Sequence, residues 1–344
     1  MARALGASEL LPLMQTLSDQ RWHSGAALAR NAGLTRAGLS KRIHKLMELG
    51  LEIETRSGRG CRLSQPLDLL ESDALIGALP PALRARLPVR VLFSTDSTNR
   101  QLMDGDAAQD PQALLAEHQS AGRGRRGRSW HSPIGANLYL SLAWTFTQWP
   151  PHLSALSLAA GVATAQALRS CGLTELKLKW PNDLVVEQRK LGGLLIEQRG
   201  ETGGSCRVVI GLGLNVHMAS APGVEQPWVS LHDLMGAKTP SRNLLAARVM
   251  ERWAAMLDCF ALEGFAPFAE AWRMLDLTAQ KAVTVHHGDA SYDGIAQGVD
   301  ETGALQVDVG SERRKLLSGD VSVRFLPASP SGRGRVEDAG EGAP

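Results

Sequence analysis

QALLAEHQSAGRGRRGRSWHSPIGANLYLSLAW (112–144) reads as two apolar strands, QALLAEHQ and ANLYLSLAW, joined by a long loop. Between Gln119 and Trp130 that loop carries four arginines and three glycines. It lacks the GxxxxGK[ST] spacing of a phosphate-binding Walker loop. It also lacks the strand–GxGxxG–helix context of a dinucleotide fold. Gly122, Gly124 and Gly127 let the backbone fold closely over a ligand and turn N–H groups inward. Arginine presents a planar fork that matches carboxylate or phosphate oxygens in pairs. The stretch therefore suits a small ligand carrying both groups. A basic loop lying on nucleic acid is the competing reading of the same residues.

Outward from the loop, strands and helices interleave without a βαβ period, which predicts a mixed sheet with helices against it. VRVLFST (89–95) is a strand running into STDSTN, where a helix can start. An Ala/Leu-rich helix from about Ser154 stops at Gly172. KLKW, DLVVE, KLGGLLIEQ and RVVIGLGLNV are four further strands, and Ser241 to Gly264 is a capped helix. In KWPND (179–183) Pro181 fixes a turn that presents Asn182 and Asp183 at its mouth, although such a turn is usually only a turn. Lys190 opens the next strand; alone it reads as a solvated surface lysine. The glycines of IGLGLNV (210–216) mark a close approach of ligand or backbone. From 281 to 326 short strands recur around HHGD, DETG and VGSE, predicting a small all-β module, and 327–344 has the composition of a disordered tail.

The first 64 residues read as helices followed by a hairpin. Ser24 and Thr35 are placed to cap two helices closed by Gly33 and Gly50. Their inner faces are expected to be Ala27, Leu28 and Ala32, and then Leu39, Ile43, Leu46 and Met47. Arg36, Ser40, Lys41, Arg42, His44 and Lys45 are expected to face away. LEIETRSGRGCRLS alternates as two strands around an arginine-flanked glycine turn. Residues 20–64 hold nine Lys/Arg against three Asp/Glu, a local +6 in a chain of net charge +2, which leaves −4 for the rest. A basic module on a mildly acidic body, in this order of elements, is a winged helix-turn-helix pattern. Ser40, Lys41, His44 and Lys45 would meet the major groove, and Arg56 and Arg59 the backbone or minor groove. A helical cap with a solvated charged face is the plainer reading.

At 344 residues the chain can hold two or three domains. It has no run of membrane-span length and no secretory signal pattern, so it is expected to be cytoplasmic. Its four cysteines (Cys61, Cys171, Cys206, Cys259) are scattered without metal-ligand spacing. The divisions expected are 1–64, a connector with one helix over 65–89, a central body over 90–280, the small β module over 281–326, and the tail.

In order along the chain, STN (97–99), QSAGRGRRGR, KWPND, KLGGLLIE and GLGLNV closely resemble the bifunctional biotin–protein ligases that double as the biotin operon repressor, and the resemblance runs from about Leu10 to Leu326. It implies an α+β chain: a winged helix-turn-helix, a central mixed sheet like that of class II aminoacyl-tRNA synthetases, and a small SH3-like barrel. It implies that Ser97, Thr98, Asn99 and Gln119 contact biotin and that Arg123, Gly124 and Arg125 form the binding loop. Arg125 would lie near the biotin carboxylate and the α-phosphate, with Lys190 the biotin-binding lysine. Trp130 and Met218–Trp228 would cover adenine, with Asn182, Asn215 and Trp228 completing the substrate site. Gly193 stands where an alanine is familiar. Asp183 is expected to orient the acceptor lysine or take its proton. The implied reaction uses ATP, with Mg²⁺ on its phosphates and no metal fixed by the protein. Its acceptor is the biotin carboxyl carrier protein of acetyl-CoA carboxylase. Operator DNA, and a homodimer formed when the adenylate is bound, are the regulatory partners. A DNA-binding sensor of a small carboxylate without ligase activity, and a lipoate–protein ligase, are the alternatives.

Overall fold

Three N-terminal helices, α1 (Ala7–Leu17), α2 (Gly25–Asn31) and α3 (Arg36–Glu48), pack beside a hairpin of β1 (Ile53–Arg56) and β2 (Gly60–Leu63). The structure, a computed structural model, describes residues 7–64, 67–200, 203–287, 290–317 and 321–325. The expected tail lies outside these residues, as does part of the HHGD turn. Ser24 and Thr35 cap α2 and α3 by accepting from Ala27 N and Gly38 N, each at 3.1 Å. Gly33 and Gly50 follow with φ of 63° and 102°, left-handed values that glycine adopts without strain.

The core of this unit is Leu10, Met14, Leu17, Leu28, Ala29, Leu39, Leu46, Ile53, Cys61 and Leu63. Three expectations need correction. In α2 the buried alanine is Ala29; Ala27 and Ala32 are exposed. Met47 is 46 % exposed, because it lies about 100° around the helix from Leu46, which completes the stripe begun by Leu39 and Ile43. Arg42 does not face away. It donates to Glu9 of α1 at 3.0 Å and to the Gly38 carbonyl at 3.3 Å, since α1 crosses α3 at that point.

The stretch expected to be a connector with one helix holds two, α4 (Ser72–Ala78) and α5 (Pro81–Arg86), because Pro81 can start a helix as readily as end one. Leu70, Leu75, Leu79, Leu83 and Leu87 are buried in the main core.

The main sheet has seven strands: β3 (Val89–Thr95), β4 (Gln112–Gln119), β5 (Leu138–Phe146), β6 (Lys177–Lys179), β7 (Asp183–Val186), β8 (Arg189–Gly200) and β9 (Cys206–Leu214). They run in the order β3-β4-β5-β9-β8-β7-β6, with only β3 and β4 parallel. Side-chain alternation divides the sheet into two faces. Leu138, Leu140 and Leu142 of β5 and Val208, Ile210, Leu212 and Leu214 of β9 face the large core shared with α7 (Leu156–Ser170) and α9 (Arg242–Glu263). The opposite face carries Ser141 and Ala143 of β5, Gly211 and Gly213 of β9 and Gly193, Leu195 and Glu197 of β8. There the short helix α6 (Thr98–Met103) packs through Leu102 and Met103 on Leu114, Ala143 and Val209. Two more helices, α8 (Leu231–Met235) and α10 (Ala269–Leu275), flank α9 in sequence.

The C-terminal strands β10 (Lys281–His287), β11 (Ala290–Val299), β12 (Leu305–Val309), β13 (Glu312–Leu316) and β14 (Val321–Phe325) form an antiparallel sheet of order β13-β12-β11-β10-β14. Its Val283, Val285, Leu305 and Val307 join the main core. Leu277 N donates to the Leu178 carbonyl at 2.8 Å, which ties the approach to β10 onto β6. Among the described residues no helix is long and apolar enough to cross a membrane.

Candidate functional site

The face of the main sheet away from α7 and α9 has a floor of glycine, and the glycines seat particular side chains. A Cβ on Gly211 would lie 2.2 Å from Asn99 Oδ1, and one on Gly213 would lie 2.4 Å from Trp130 Cε2. The close approach read in IGLGLNV is therefore made by Asn99 and by the Trp130 indole.

Ser97 caps α6 and brings Thr98 and Asn99 onto this floor, all three less than 5 % exposed. Thr98 N donates to Gln119 Oε1 at 2.9 Å, and Gln119 Nε2 reaches Ser132 Oγ at 3.4 Å. Ser141 Oγ lies 2.6 Å from Asn99 Oδ1 and 2.7 Å from Thr98 Oγ1. Asn99 Nδ2 donates to Glu197 at 3.0 Å and to the Leu195 carbonyl at 3.1 Å. The STN motif and Gln119 thus form one buried polar network, to which Ser132, Ser141 and Glu197 belong although sequence reading missed them. Ser141 and Glu197 had a signal: strand alternation puts both on the site face.

The arginine–glycine loop closes on itself. Gly124 N donates to the Arg128 carbonyl at 2.7 Å and Trp130 N to the Gly122 carbonyl at 2.8 Å, around a single 3₁₀ turn at Arg125–Gly127. Arg126 and Gly127 take positive φ of 57° and 70°. Arg123 pairs with Glu197 at 2.7 Å, whereas Arg125 points across to Asn182 Oδ1 at 3.4 Å.

That contact joins the loop to KWPND. Asp183 lies opposite Gly193 in the sheet and Lys179 opposite Asp183, so both share the site face. Lys190 Nζ meets Asp183 Oδ1 at 2.7 Å and lies 5.5 Å from the Trp130 ring centroid, with both side chains of the pair less than 20 % exposed. Around Lys190 the backbone is strapped to the chain before α8: Lys190 N donates to Pro227 O at 2.8 Å, and Val229 N to Lys190 O at 3.0 Å. Asn215 donates to the Lys190 and Val229 carbonyls at 3.3 and 3.2 Å, so it braces this strap and is buried at 3 % exposure. Trp228 is bridged to Lys190 and half-buried.

Lys179 was not singled out by sequence reading. Burial pushes its ammonium below the usual lysine value; Lys190, Arg324 and Arg128 push the same way, against Asp183. Its Nζ lies 4.9 Å from the Phe325 ring, so the C-terminal sheet reaches this corner. Burial likewise holds the His131 imidazole below its ordinary value. Lys190, Lys179 and Arg125, gathered about Asp183 and Asn182, make a positive, partly desolvated cluster suited to holding anions.

On α3, Arg36, Ser40 and Lys41 are exposed, and His44 is 76 % exposed with Glu48 at 3.4 Å. Lys45 pairs with Glu48 at 2.9 Å. Arg56 and Arg59 do not stand free but lie against Trp22.

Residues 90–215 match the biotin/lipoate A/B protein ligase family, and 281–324 match the biotin protein ligase C-terminal domain. The chain is 38 % identical over 317 residues to the bifunctional ligase/repressor BirA of Escherichia coli, covering 91 % of this chain and 97 % of that protein. The chain belongs to the biotin protein ligase family. Another relative, the biotin–[acetyl-CoA-carboxylase] ligase of Paracoccus denitrificans, is 35 % identical and covers 70 % of this chain and 98 % of that one. Among solved structures, the biotin protein ligase of Aquifex aeolicus in complex with biotin and ATP superposes with a TM-score of 0.60 at 26 % identity. It covers 70 % of this chain and 99 % of that one. The mixed sheet with its C-terminal antiparallel sheet is thus a biotin protein ligase fold.

Proposed function

We propose that the chain is a bifunctional biotin–protein ligase and repressor. It joins biotin and ATP into biotinyl-5′-AMP, transfers biotin to a lysine of the biotin carboxyl carrier protein, and represses the biotin operon with the adenylate as corepressor. One observation carries the reading. Lys190, Asp183, Arg125 and Asn182 meet under a self-bonded arginine–glycine loop, beside an indole laid on a glycine floor.

In the first step a biotin carboxylate oxygen forms a bond to the α-phosphorus of ATP, and pyrophosphate leaves. Two anions repel, so the step needs cations held at the point of attack. Lys190 exchanges Asp183 for the biotin carboxylate, and Arg125 reaches both that carboxylate and the α-phosphate. Mg²⁺ carried by ATP would screen its phosphates, and Lys179 would add a further positive charge there. Ser97, Thr98, Asn99 and Gln119 hold the ureido ring in the buried network. Trp130, Trp228 and the Met218–Trp228 segment cover the adenine, and Arg123, Gly124 and Asn215 support them. Holding both reactants in line supplies much of the acceleration. Loop closure keeps water from the mixed anhydride. In the second step the acceptor amine attacks the acyl carbon and AMP leaves. Asp183, released from Lys190, faces that amine, orients it and takes its proton.

The regulatory half follows from the N-terminal unit, which we take as a winged helix-turn-helix over 1–64, with 65–89 leading to a catalytic body over 90–280 and an SH3-like barrel over 281–326. Arg36, Ser40, Lys41, His44 and Lys45 line the exposed face of α3 toward the major groove; Arg42 is withdrawn to Glu9. Adenylate binding favours a homodimer that offers two such units to a two-fold operator. A carrier-protein acceptor and an operator as partners fit a cytoplasmic protein.

Exchange of labelled pyrophosphate into ATP tests the reading. It should depend on biotin and not respond to lipoate. Exchange absent with biotin would leave a carboxylate sensor, and exchange supported only by lipoate would change the substrate.

A further inference from the structure

Trp22, between α1 and α2, gathers the arginines of the hairpin. His23 forms a single antiparallel bridge to β2: His23 N donates to Cys61 O at 2.9 Å and Cys61 N to His23 O at 3.0 Å. Gly60 is required there, because a Cβ would lie 1.8 Å from the His23 carbonyl oxygen. The register puts Glu54 opposite Arg62, Arg56 opposite Gly60 and Trp22 beside Arg62. With side chains alternating, Ile53, Cys61 and Leu63 turn into the core, while Trp22, Glu54, Arg56 and Arg62 share the outer face.

On that face three guanidinium carbons lie near one indole: Arg62 at 5.0 Å from the ring centroid, Arg56 at 5.2 Å and Arg59 at 5.6 Å. Three like charges this close repel, and two groups offset the repulsion. Glu54 accepts from Arg62 at 3.0 Å and lies 3.9 Å from Arg56. The electron-rich ring faces do the rest. Arg62 Nε is buried with no hydrogen-bond partner, as expected of a guanidinium pressed against a ring. Asp19 is engaged elsewhere, with His23 and Arg21 N.

We infer that Trp22 is a positioning residue for nucleic-acid binding: it holds Arg56, Arg59 and Arg62 as a prearranged grip on successive backbone phosphates. The inference rests on the operator-binding reading above. Flexible arginines would have to lose rotamer freedom on contact; stacked ones have already lost much of it.

The probe is a fluorescein-labelled mixed-sequence DNA duplex of roughly 40 base pairs, titrated with the full chain, biotin and ATP over about 50–200 mM NaCl and followed by anisotropy. Trp22→Leu should lower affinity about 3–10-fold at the low-salt end and flatten the plot of log affinity against log salt by about 1–2. Trp22→Phe, which keeps a ring face, should stay within about 2-fold of wild type. Biotin transfer to the acceptor should be unchanged in both. Trp22→Met replaces the leucine variant if that chain does not fold. Wild-type affinity and slope for Trp22→Leu, while Arg56→Ala/Arg59→Ala weakens binding, would overturn the role of Trp22 alone. No loss in the double-alanine variant would overturn the inference while leaving the α3 reading standing; no binding by wild type would overturn the operator-binding reading and the inference together.

Discussion

Replacing Gly213 by alanine adds one methyl group at the point where the Trp130 indole touches the sheet. That Cβ would stand 2.4 Å from Cε2 and 2.7 Å from both Cζ2 and Nε1 of the ring. Ordinary carbon contacts are about 3.5–4.0 Å, so the ring must lift by roughly 1 Å. The backbone on the opposite face belongs to the packed core and will not yield, whereas Trp130 is half-buried and can move. A lifted indole leaves its place beside Lys190, now 5.5 Å away, and with it the adenine cover proposed above. A displacement of this size at a reacting pair costs on the order of 10²-fold in rate. Steady-state adenylate formation should therefore fall about 30–100-fold in kcat/KM, while the urea midpoint changes little. The decisive control is the Trp130→Ala background. With the indole gone the three close contacts of the added methyl are gone with it, so Gly213→Ala should have little further effect. An equal loss in both backgrounds would refute the argument that the glycine exists to seat the ring.

Three more outcomes follow from the same geometry. Lys190→Met should slow biotin-dependent pyrophosphate exchange by about 10²–10³-fold, whereas Asp183→Asn should leave exchange within about 10-fold and slow transfer to the acceptor more; equal losses in both half-reactions would remove the assigned role of Asp183. Arg242 is fully buried, pairs with Glu117 at 2.8 Å and donates to the carbonyls of Asp68 and Asn137, so Arg242→Met strands a buried carboxylate; it should destabilise the chain by about 3–5 kcal/mol in urea unfolding, and a change under about 1 kcal/mol would show the pair to be dispensable. In the DETG turn, burial would raise the Asp300 carboxyl, but hydrogen bonds from Thr302, Lys315 and Ala304 N outweigh it and hold the group at about 2. A carboxyl held below its unfolded value of 3.8 adds stability above that pH and loses it as pH falls through about 2, so Asp300→Asn should lose about 2 kcal/mol at neutral pH and nothing at the acid end. A loss independent of pH would contradict this.

Much of this was legible locally. Ser24, Thr35, Ser97 and Ser241 cap helices because a short side-chain oxygen before an apolar periodic run can do little else, and the strands of 112–144 show their alternation. The motifs STN, GRGRRGR and KWPND pointed to a site through their resemblance, in order, to a known family; alone, KWPND reads as a turn and only the arginine–glycine loop suggests a small anionic ligand by its residue types. What stayed hidden depends on partners distant in sequence. Nothing in α3 announces that Arg42 meets Glu9, thirty-three residues earlier. Lys179 looked like one more strand residue until pairing put it opposite Asp183. Asn215 reads as a ligand contact in the motif, yet its amide is occupied by two carbonyls that the strap brings to it. The glycines of β9 signalled a close approach, but only the folded sheet identifies Asn99 and Trp130 as what approaches. Trp22 gave no sign, since its three arginines come from a hairpin more than thirty residues on.

The central claim is that these cations and this loop activate biotin with ATP for delivery to a lysine. Intact-mass spectrometry of a purified biotin acceptor domain, incubated with the chain, biotin and Mg-ATP, tests it directly. One biotin should be added at a single lysine, only when both small molecules are present, and Arg125→Ala should abolish or sharply slow the addition. An acceptor that stays unmodified with the wild-type chain would contradict the account.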